Sequence, residues 1–339
     1  MGAIGFLAAA VVLAVLPLIF VVGANVVVDP YDELGNRLIR EPLVQVAQAE
    51  KIRLFEALRD KPHAVIFGSS RMMEIEPSVF HPSGFNFAVN SALPEDFLAQ
   101  ILWLGERNAV PLEAVIGVDF DVFNPAIATD PRLLATRFLY RLVADFPEIK
   151  ELAFAREDDH LISGFWRKYF SRRMLADSMR AVRANLRGLP KRATYSANGL
   201  LSRDEDLKKR AREGWSLTIA PEIFAAYVKE KFSGYDAISR ARMSIVEKTL
   251  QRLSSGGSSI TIALTPYHPA LLDHIERDPT LSRRLREVRL MLESLSARYG
   301  ARFVDATNIE RIGCRATEMW DVVHLMPECA ERFALGLQS

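Results

Sequence analysis

Apolar positions along this chain fall into two kinds of run. The first is a single long stretch at the start: residues 1–28 carry no charged side chain, and residues 3–22 are almost wholly apolar. About 20 such residues match the hydrocarbon thickness of a bilayer, so the pattern predicts a transmembrane anchor over residues 1–24. A cleaved secretory signal is the other reading, since Val22-Gly23-Ala24 offers small residues at a suitable place. The apolar core of such a signal usually runs to only about 7–15 residues behind a basic start, and no Lys or Arg precedes this one. The same lack leaves the positive-inside rule little to act on. Either reading puts the bulk of the chain in the periplasm or outside the cell.

The second kind of run is short and ends in small or polar residues. Residues 63–67 (HAVIF) lead into Gly68-Ser69-Ser70, and residues 85–89 (FNFAV) into Asn90-Ser91-Ala92. Residues 114–118 (AVIGV) lead into Asp119-Phe120-Asp121, 259–264 (SITIAL) into Thr265-Pro266-Tyr267-His268, and 302–304 (RFV) into Asp305-Ala306-Thr307. Runs this short and this apolar predict strands buried on both faces, as in a parallel sheet. Segments with helical character separate most of them, among them 94–107 and 241–253. The alternation predicts an α/β fold with a doubly wound, parallel, five-stranded sheet over residues 61–339. Residues 25–60, loosely periodic at Val44, Val46, Ile52, Phe55 and Leu58, read as a polar, helical stalk. The gap between the third and fourth strands far exceeds an ordinary crossover, so residues 125–240 read as a mainly helical insertion.

Composition narrows the function classes. With 43 Lys and Arg against 42 Asp and Glu, the net charge of +1 gives no global pull towards nucleic acid. No phosphate-binding glycine loop of the GxxxxGK type is present, and no Cys/His cluster has zinc spacing. Function therefore rests on a local site. The insertion holds a basic run, Arg167, Lys168, Arg172, Arg173, Arg180, Arg183, Arg187, Lys191 and Arg192, opposed only by Asp177. It reads either as a solvated helix face or as a surface for anionic lipid head groups or an acidic glycan. The two cysteines, Cys314 and Cys329, are either a disulfide of an oxidising compartment or two unrelated thiols.

In open α/β sheets ligands bind beyond the carboxyl ends of the strands, so the polar residues after all five strands converge on one crevice. Ser70 stands directly after the first strand on a Gly-Ser-Ser-Arg turn that also carries Arg71. A serine at the start of a helix reads either as an N-cap or as a nucleophile backed by backbone N–H groups. As a nucleophile it needs a base within hydrogen-bond reach. Trp320-Asp321-Val322-Val323-His324-Leu325 supplies one, because a carboxylate three residues before an imidazole can fix its tautomer and raise its basicity. His268 also falls at the crevice, as a substrate-positioning residue or as part of the loop's structure.

Taken together, these blocks are similar to the SGNH/GDSL hydrolase superfamily, in the same order along the chain. Gly68-Ser69-Ser70 resembles its first block, which puts Ser70 on the nucleophile. Asp321 and His324 match its closing Asp-x-x-His, and residues 86–92 (NFAVNSA) resemble its second block, with Ser91 in place of an oxyanion glycine. Gly117-Val118-Asp119 corresponds to its third block, with Asp119 in place of an oxyanion asparagine. The resemblance covers residues 62–124 and 258–339. The Gly-Ser-Ser-Arg variant behind an N-terminal anchor is more similar to envelope branches, which include proteins of alginate O-acetylation and of teichoic acid D-alanylation. The resemblance implies a flavodoxin-like SGNH fold and acyl-ester chemistry on a cell-envelope polysaccharide or another hydroxyl-bearing polymer. Ser70 would attack, His324 would act as base and then acid, and Asp321 would orient His324. The N–H groups of Ser70 and Ser91 would hold the oxyanion, with Asn90, Asp119, Asp121, His268 and Arg71 around the substrate. No metal or organic cofactor is implied, and a membrane-bound O-acyltransferase is the implied partner for supplying the acyl group. An ionised Asp119 cannot donate to an oxyanion, however, and one lost donor costs about 2.7–4 kcal/mol of transition-state stabilisation. Either Asn90 substitutes, or Asp119 has another task, or the reaction is slow. The alternative reading is a catalytically silent glycan-binding or assembly protein that kept the fold.

Overall fold

The computed structural model describes residues 3–30, 47–129, 133, 137–154, 169–170, 172–187, 194–213 and 219–338. The chain divides into two compact units, one built from residues 1–50, 134–136 and 156–191, the other from the rest.

In the larger unit, five strands form one all-parallel sheet: β1 (Ala64–Phe67), β2 (Phe85–Asn86), β3 (Glu113–Val118), β6 (Ser259–Leu264) and β7 (Arg302–Asp305). Their spatial order is β2-β1-β3-β6-β7, with parallel pairing throughout. Counting these five alone, this is the 2-1-3-4-5 order of a doubly wound α/β sheet, whose switch point lies between its first and third strands. The reason is visible in the side chains: every residue of β1 is buried, and β3 and β6 are buried after their first residue, so both faces must be covered. Phe67 pairs with Ile116 and Val118 with Leu264, so the turns after β1, β3 and β6 open along one edge. β2 is shorter than its apolar run, although the N–H groups of Phe87 and Val89 still donate to Ile66 and Gly68 at 2.8 and 3.0 Å.

Helices flank the sheet. Before it comes α2 (Ala47–Glu56), whose Phe55 packs among Phe85, Phe87 and Trp103 with ring centroids 5.3–5.7 Å away. Lys51 on the same helix is fully buried, donating to the Asn86 carbonyl at 2.7 Å and to that of Gly199, and burial pulls its pKa well down. After β2 runs α3 (Pro94–Glu106). The segment between β3 and β6 holds α4 (Arg137–Val143) and α5 (Pro147–Phe154), then a small antiparallel pair, β4 (Thr194–Tyr195) with β5 (Leu201–Ser202). It continues with α7 (Asp204–Glu213), α8 (Pro221–Phe232) and α9 (Arg240–Ser255). α10 (Pro269–Arg277) and α11 (Pro279–Tyr299) follow β6, and α12 (Pro327–Gln338) ends the chain. Arg242 of α9 forms a wholly buried ion pair with Glu95 at 3.2 Å. It also donates to the carbonyls of Val122, Asn124 and Ile127 at 3.0, 3.1 and 2.8 Å, which fixes the chain leaving β3.

The smaller unit contains α1 (Ala3–Val28) and α6 (Arg172–Leu186). α1 runs beyond the expected end of the anchor at residue 24. Its buried Asn25 donates to the Tyr169 carbonyl at 2.7 Å and accepts from the Ser178 hydroxyl at 2.9 Å. Among the described residues no helix is long and apolar enough to cross a membrane. The side chains of residues 3–15, the larger part of the expected apolar span, lie outside the described residues. Of the basic run, Arg167, Lys168, Lys191, Arg192 and the side chains of Arg172 and Arg173 also lie outside them. Arg180, Arg183 and Arg187 are exposed, with Arg180 paired to Asp177 at 3.0 Å.

Candidate active site

The turn after β1 depends on two glycines and one methionine. Gly68 has φ of +152°, and a Cβ there would meet Met72 Cγ at 2.4 Å; a Cβ on Gly117 would meet the same atom at 2.3 Å. Met72 therefore seats against both glycines and draws the serine turn onto β3. Sequence reasoning expected a helix to start at Ser70. The structure has only a 3₁₀ turn over Ser70–Met72, capped by Ser69, whose Oγ accepts from the Arg71 N–H at 3.3 Å. Capping thus falls to Ser69, and the Ser70 hydroxyl is available for other work.

That hydroxyl lies 2.8 Å from His324 Nε2, and His324 Nδ1 lies 2.7 Å from Asp321 Oδ2. Asp321 Oδ1 accepts from the N–H groups of Val323 and His324, both at 2.9 Å. Burial pushes the Asp321 carboxyl up, but its bond to His324, the imidazole's charge and the two backbone bonds outweigh this and hold it at about 2. The loop is closed on itself by the Trp320 N–H donating to the His324 carbonyl at 2.8 Å. It is also bracketed by a disulfide between Cys314 and Cys329, 5.5 Å apart at Cα. His268 meets this loop from the end of β6. Its N–H donates to the Val322 carbonyl at 2.9 Å, while its Nδ1 accepts from the Ala270 N–H at 3.2 Å and so caps α10. Partial burial lowers the His268 pKa against the pull of Asp321.

Arg71, Asp119 and Asp121 are brought together, but with one another. Arg71 is buried, 3.4 Å from Asp119 and 2.9 Å from Asp121, and its guanidinium lies 4.4 Å from the Tyr267 ring centre. It further donates to Thr265 Oγ1 at 3.1 Å and Tyr227 OH at 2.7 Å. The Thr265 hydroxyl itself donates to Asp119 Oδ1 at 2.6 Å. Burial opposes the Arg71 charge, yet the Asp119 carboxylate, with smaller help from Asp121, holds its pKa well above the ordinary value. Burial pushes Asp121 up despite Arg71, because Asp119 adds a second negative charge. Arg71, Asp119 and Asp121 are thus held by one another beyond the strand ends, with Asp119 offsetting the Arg71 charge.

Among the described residues none accepts a hydrogen bond from the N–H of Ser70 or of Ser91. The bond from Val89 N–H to Gly68 O sets the Asn90-Ser91 turn beside the serine turn. Ser91 has φ of +52°, a left-handed conformation that favours glycine. Among the described residues the side-chain hydrogen bond of Ser70 is to His324 and none runs to Asn90.

Glu74, Trp320, Thr265, Tyr267 and Tyr227 were not selected from the sequence. Thr265, Tyr267 and Trp320 stand inside the strand-end and loop segments already singled out, so the crevice rule applied to every polar residue would have found them. Glu74 and Tyr227 carry no such signal. Among the described residues no group of His, Cys, Asp and Glu is placed to hold a metal. A groove lined by Phe224, Lys229, Tyr235, His274 and Asp278 opens between α8, α10 and α11, and no triad residue lines it. No family model matches the chain, and none of the curated proteins compared with it is similar in sequence.

Proposed function

We propose that this protein is an extracytoplasmic, membrane-anchored serine enzyme of SGNH type, acting on acyl esters of a cell-envelope glycan. The observation that carries the reading is the relay Asp321–His324–Ser70, with contacts of 2.7 and 2.8 Å. Ser70 Oγ attacks the acyl carbonyl while His324 Nε2 takes its proton, and the C–O bond to the leaving alcohol breaks as His324 returns that proton. A glycan hydroxyl or water then gives its proton to His324 and attacks the acyl-serine, and His324 returns that proton to Ser70 Oγ as its bond to the acyl carbon breaks. The developing oxyanion is met by the N–H groups of Ser70 and Ser91, in the role that backbone donors commonly take. Transfer to a glycan is favoured over hydrolysis by the resemblance to envelope O-acylation proteins, with a membrane-bound O-acyltransferase as the source of acyl groups.

The test is reaction of the full-length protein with a fluorophosphonate, followed by acylated donor and glycan acceptor. Ser70 should be labelled and Ser70→Ala should not, and acyl groups should appear on the glycan. Rapid hydrolysis without transfer makes the protein an esterase. Absence of labelling favours the second reading, a silent glycan-binding or assembly protein, which the engagement of Asp119 by Arg71 in place of a side-chain oxyanion donor supports.

A further inference from the structure

The two parts of the relay come from opposite ends of the chain, and most ties of the His324 loop are internal to it. Asp321 orients the imidazole from three residues away, and the 314–329 disulfide closes the same segment. Neither fixes the loop relative to Ser70. Glu74 does so. It lies four residues after Ser70, on the continuation of the serine turn. Its side chain is only 8% exposed, and its Oε2 accepts from Trp320 Nε1 at 3.0 Å. Trp320 in turn holds the His324 carbonyl through its N–H at 2.8 Å. The other oxygen, Oε1, accepts from Arg203 Nε at 2.6 Å, and the Arg203 guanidinium lies 6.0 Å from the Trp320 ring centre. Burial pushes the Glu74 carboxyl up, against the pull of Arg203, the Trp320 bond and, more weakly, His324.

We propose that Glu74 is a positioning residue that sets the distance from nucleophile to base, tying the Ser70 turn to the His324 loop through Trp320. Arg203, just after β5, holds the second oxygen and so aims the first. The inference rests on the Ser70–His324 chemistry proposed above.

Two variants of the full-length protein test it. E74Q keeps the size of the side chain but turns an NH2 group towards one of two donors. W320F keeps an aromatic side chain, though a smaller one, and removes the N–H. Each should slow fluorophosphonate inactivation about 10- to 100-fold, the scale of an ångström-level misplacement. The melting temperature and the final labelled fraction should match the wild type, and the double variant should be no slower than either single one. A purely structural role would instead lower the labelled fraction and leave the rate of the remainder unchanged. Inactivation of both variants at the wild-type rate overturns the proposal. Nitrogen-15 spectra of the histidine rings read the same tie without turnover. S70A identifies the His324 signal through loss of the Ser70 contact, and E74Q should move that signal in the same direction. An unmoved signal in E74Q overturns the proposal. A wild type that is never labelled, combined with a His324 signal that responds to E74Q, removes the hydrolase reading and leaves the tie standing.

Discussion

Ser70 has its hydroxyl available because Ser69 takes the capping bond, so Ser70→Ala should cost little in folding while ending covalent chemistry. Denaturant unfolding of that variant should stay within about 0.5 kcal/mol of the wild type, with fluorophosphonate labelling lost. Asp321→Asn should lower turnover about 10⁴-fold by presenting the wrong partner to His324 Nδ1. Its pH behaviour follows from a carboxyl held at about 2, below its ordinary value near 4. A depressed folded pKa adds stability above the unfolded value, and that stability is lost as pH falls from about 4 to about 2. Asp321 thus stays ionised through the mildly acidic range, so acid unfolding measured for Asp321→Asn should lack the loss of stability between about pH 4 and pH 2 that the wild type shows. Arg71→Ala should be severe by another route, leaving Asp119 and Asp121 buried together. Removing one partner of a buried ion pair typically costs about 3–5 kcal/mol, which chemical denaturation will read. At this scale the sequence was legible in Ser70, at a strand end, and in the spacing of Asp321 and His324, which the structure brings within hydrogen-bond reach of one another and of Ser70. It left the task of Asp119 open, because the guanidinium that pairs with this carboxylate comes from a different strand end. Glu74 was invisible, since its meaning lies in a tryptophan brought to it from far along the chain.

Among the elements, β1, β3 and β6 were legible because burial on both faces leaves a short apolar run, while β7 is only half-buried. The long helices over 94–106 and 240–255 were legible for the complementary reason, their apolar positions recurring at helical spacing. What the pattern could not convey was the 3₁₀ turn after β1, where small polar residues look alike whether a helix follows or not. The disulfide was one of two readings of Cys314 and Cys329, and the distance that decides it depends on how the final loop folds. Replacing both cysteines by serine should lose about 3 kcal/mol, the loop-closure value for a span of this size, and calorimetry with and without reductant should agree. The same change should slow labelling of Ser70 less than E74Q does, because the disulfide closes the loop without tying it to the serine turn.

For the whole molecule, the apolar start of the chain and the proposed chemistry make a joint prediction about place. A full-length fusion carrying alkaline phosphatase at its C-terminus should be active, as that enzyme requires an oxidising compartment. An inactive fusion would put the domain in the cytoplasm and remove envelope glycans as substrates. Neutralising Arg180, Arg183 and Arg187 together should weaken use of an anionic polymer while sparing a small soluble ester; equal use of both would leave these residues as a solvated face. The separation of Ser70 from His324, 254 residues along the chain, bears on the protein's biosynthesis as well. A chain that emerges from its N-terminal end presents the serine long before the histidine exists beside it. On the proposed chemistry the nascent protein would stay inert until the His324 loop docks. If Ser70 reacts as proposed, reactivity towards a fluorophosphonate would report the moment at which the His324 loop docks beside Ser70.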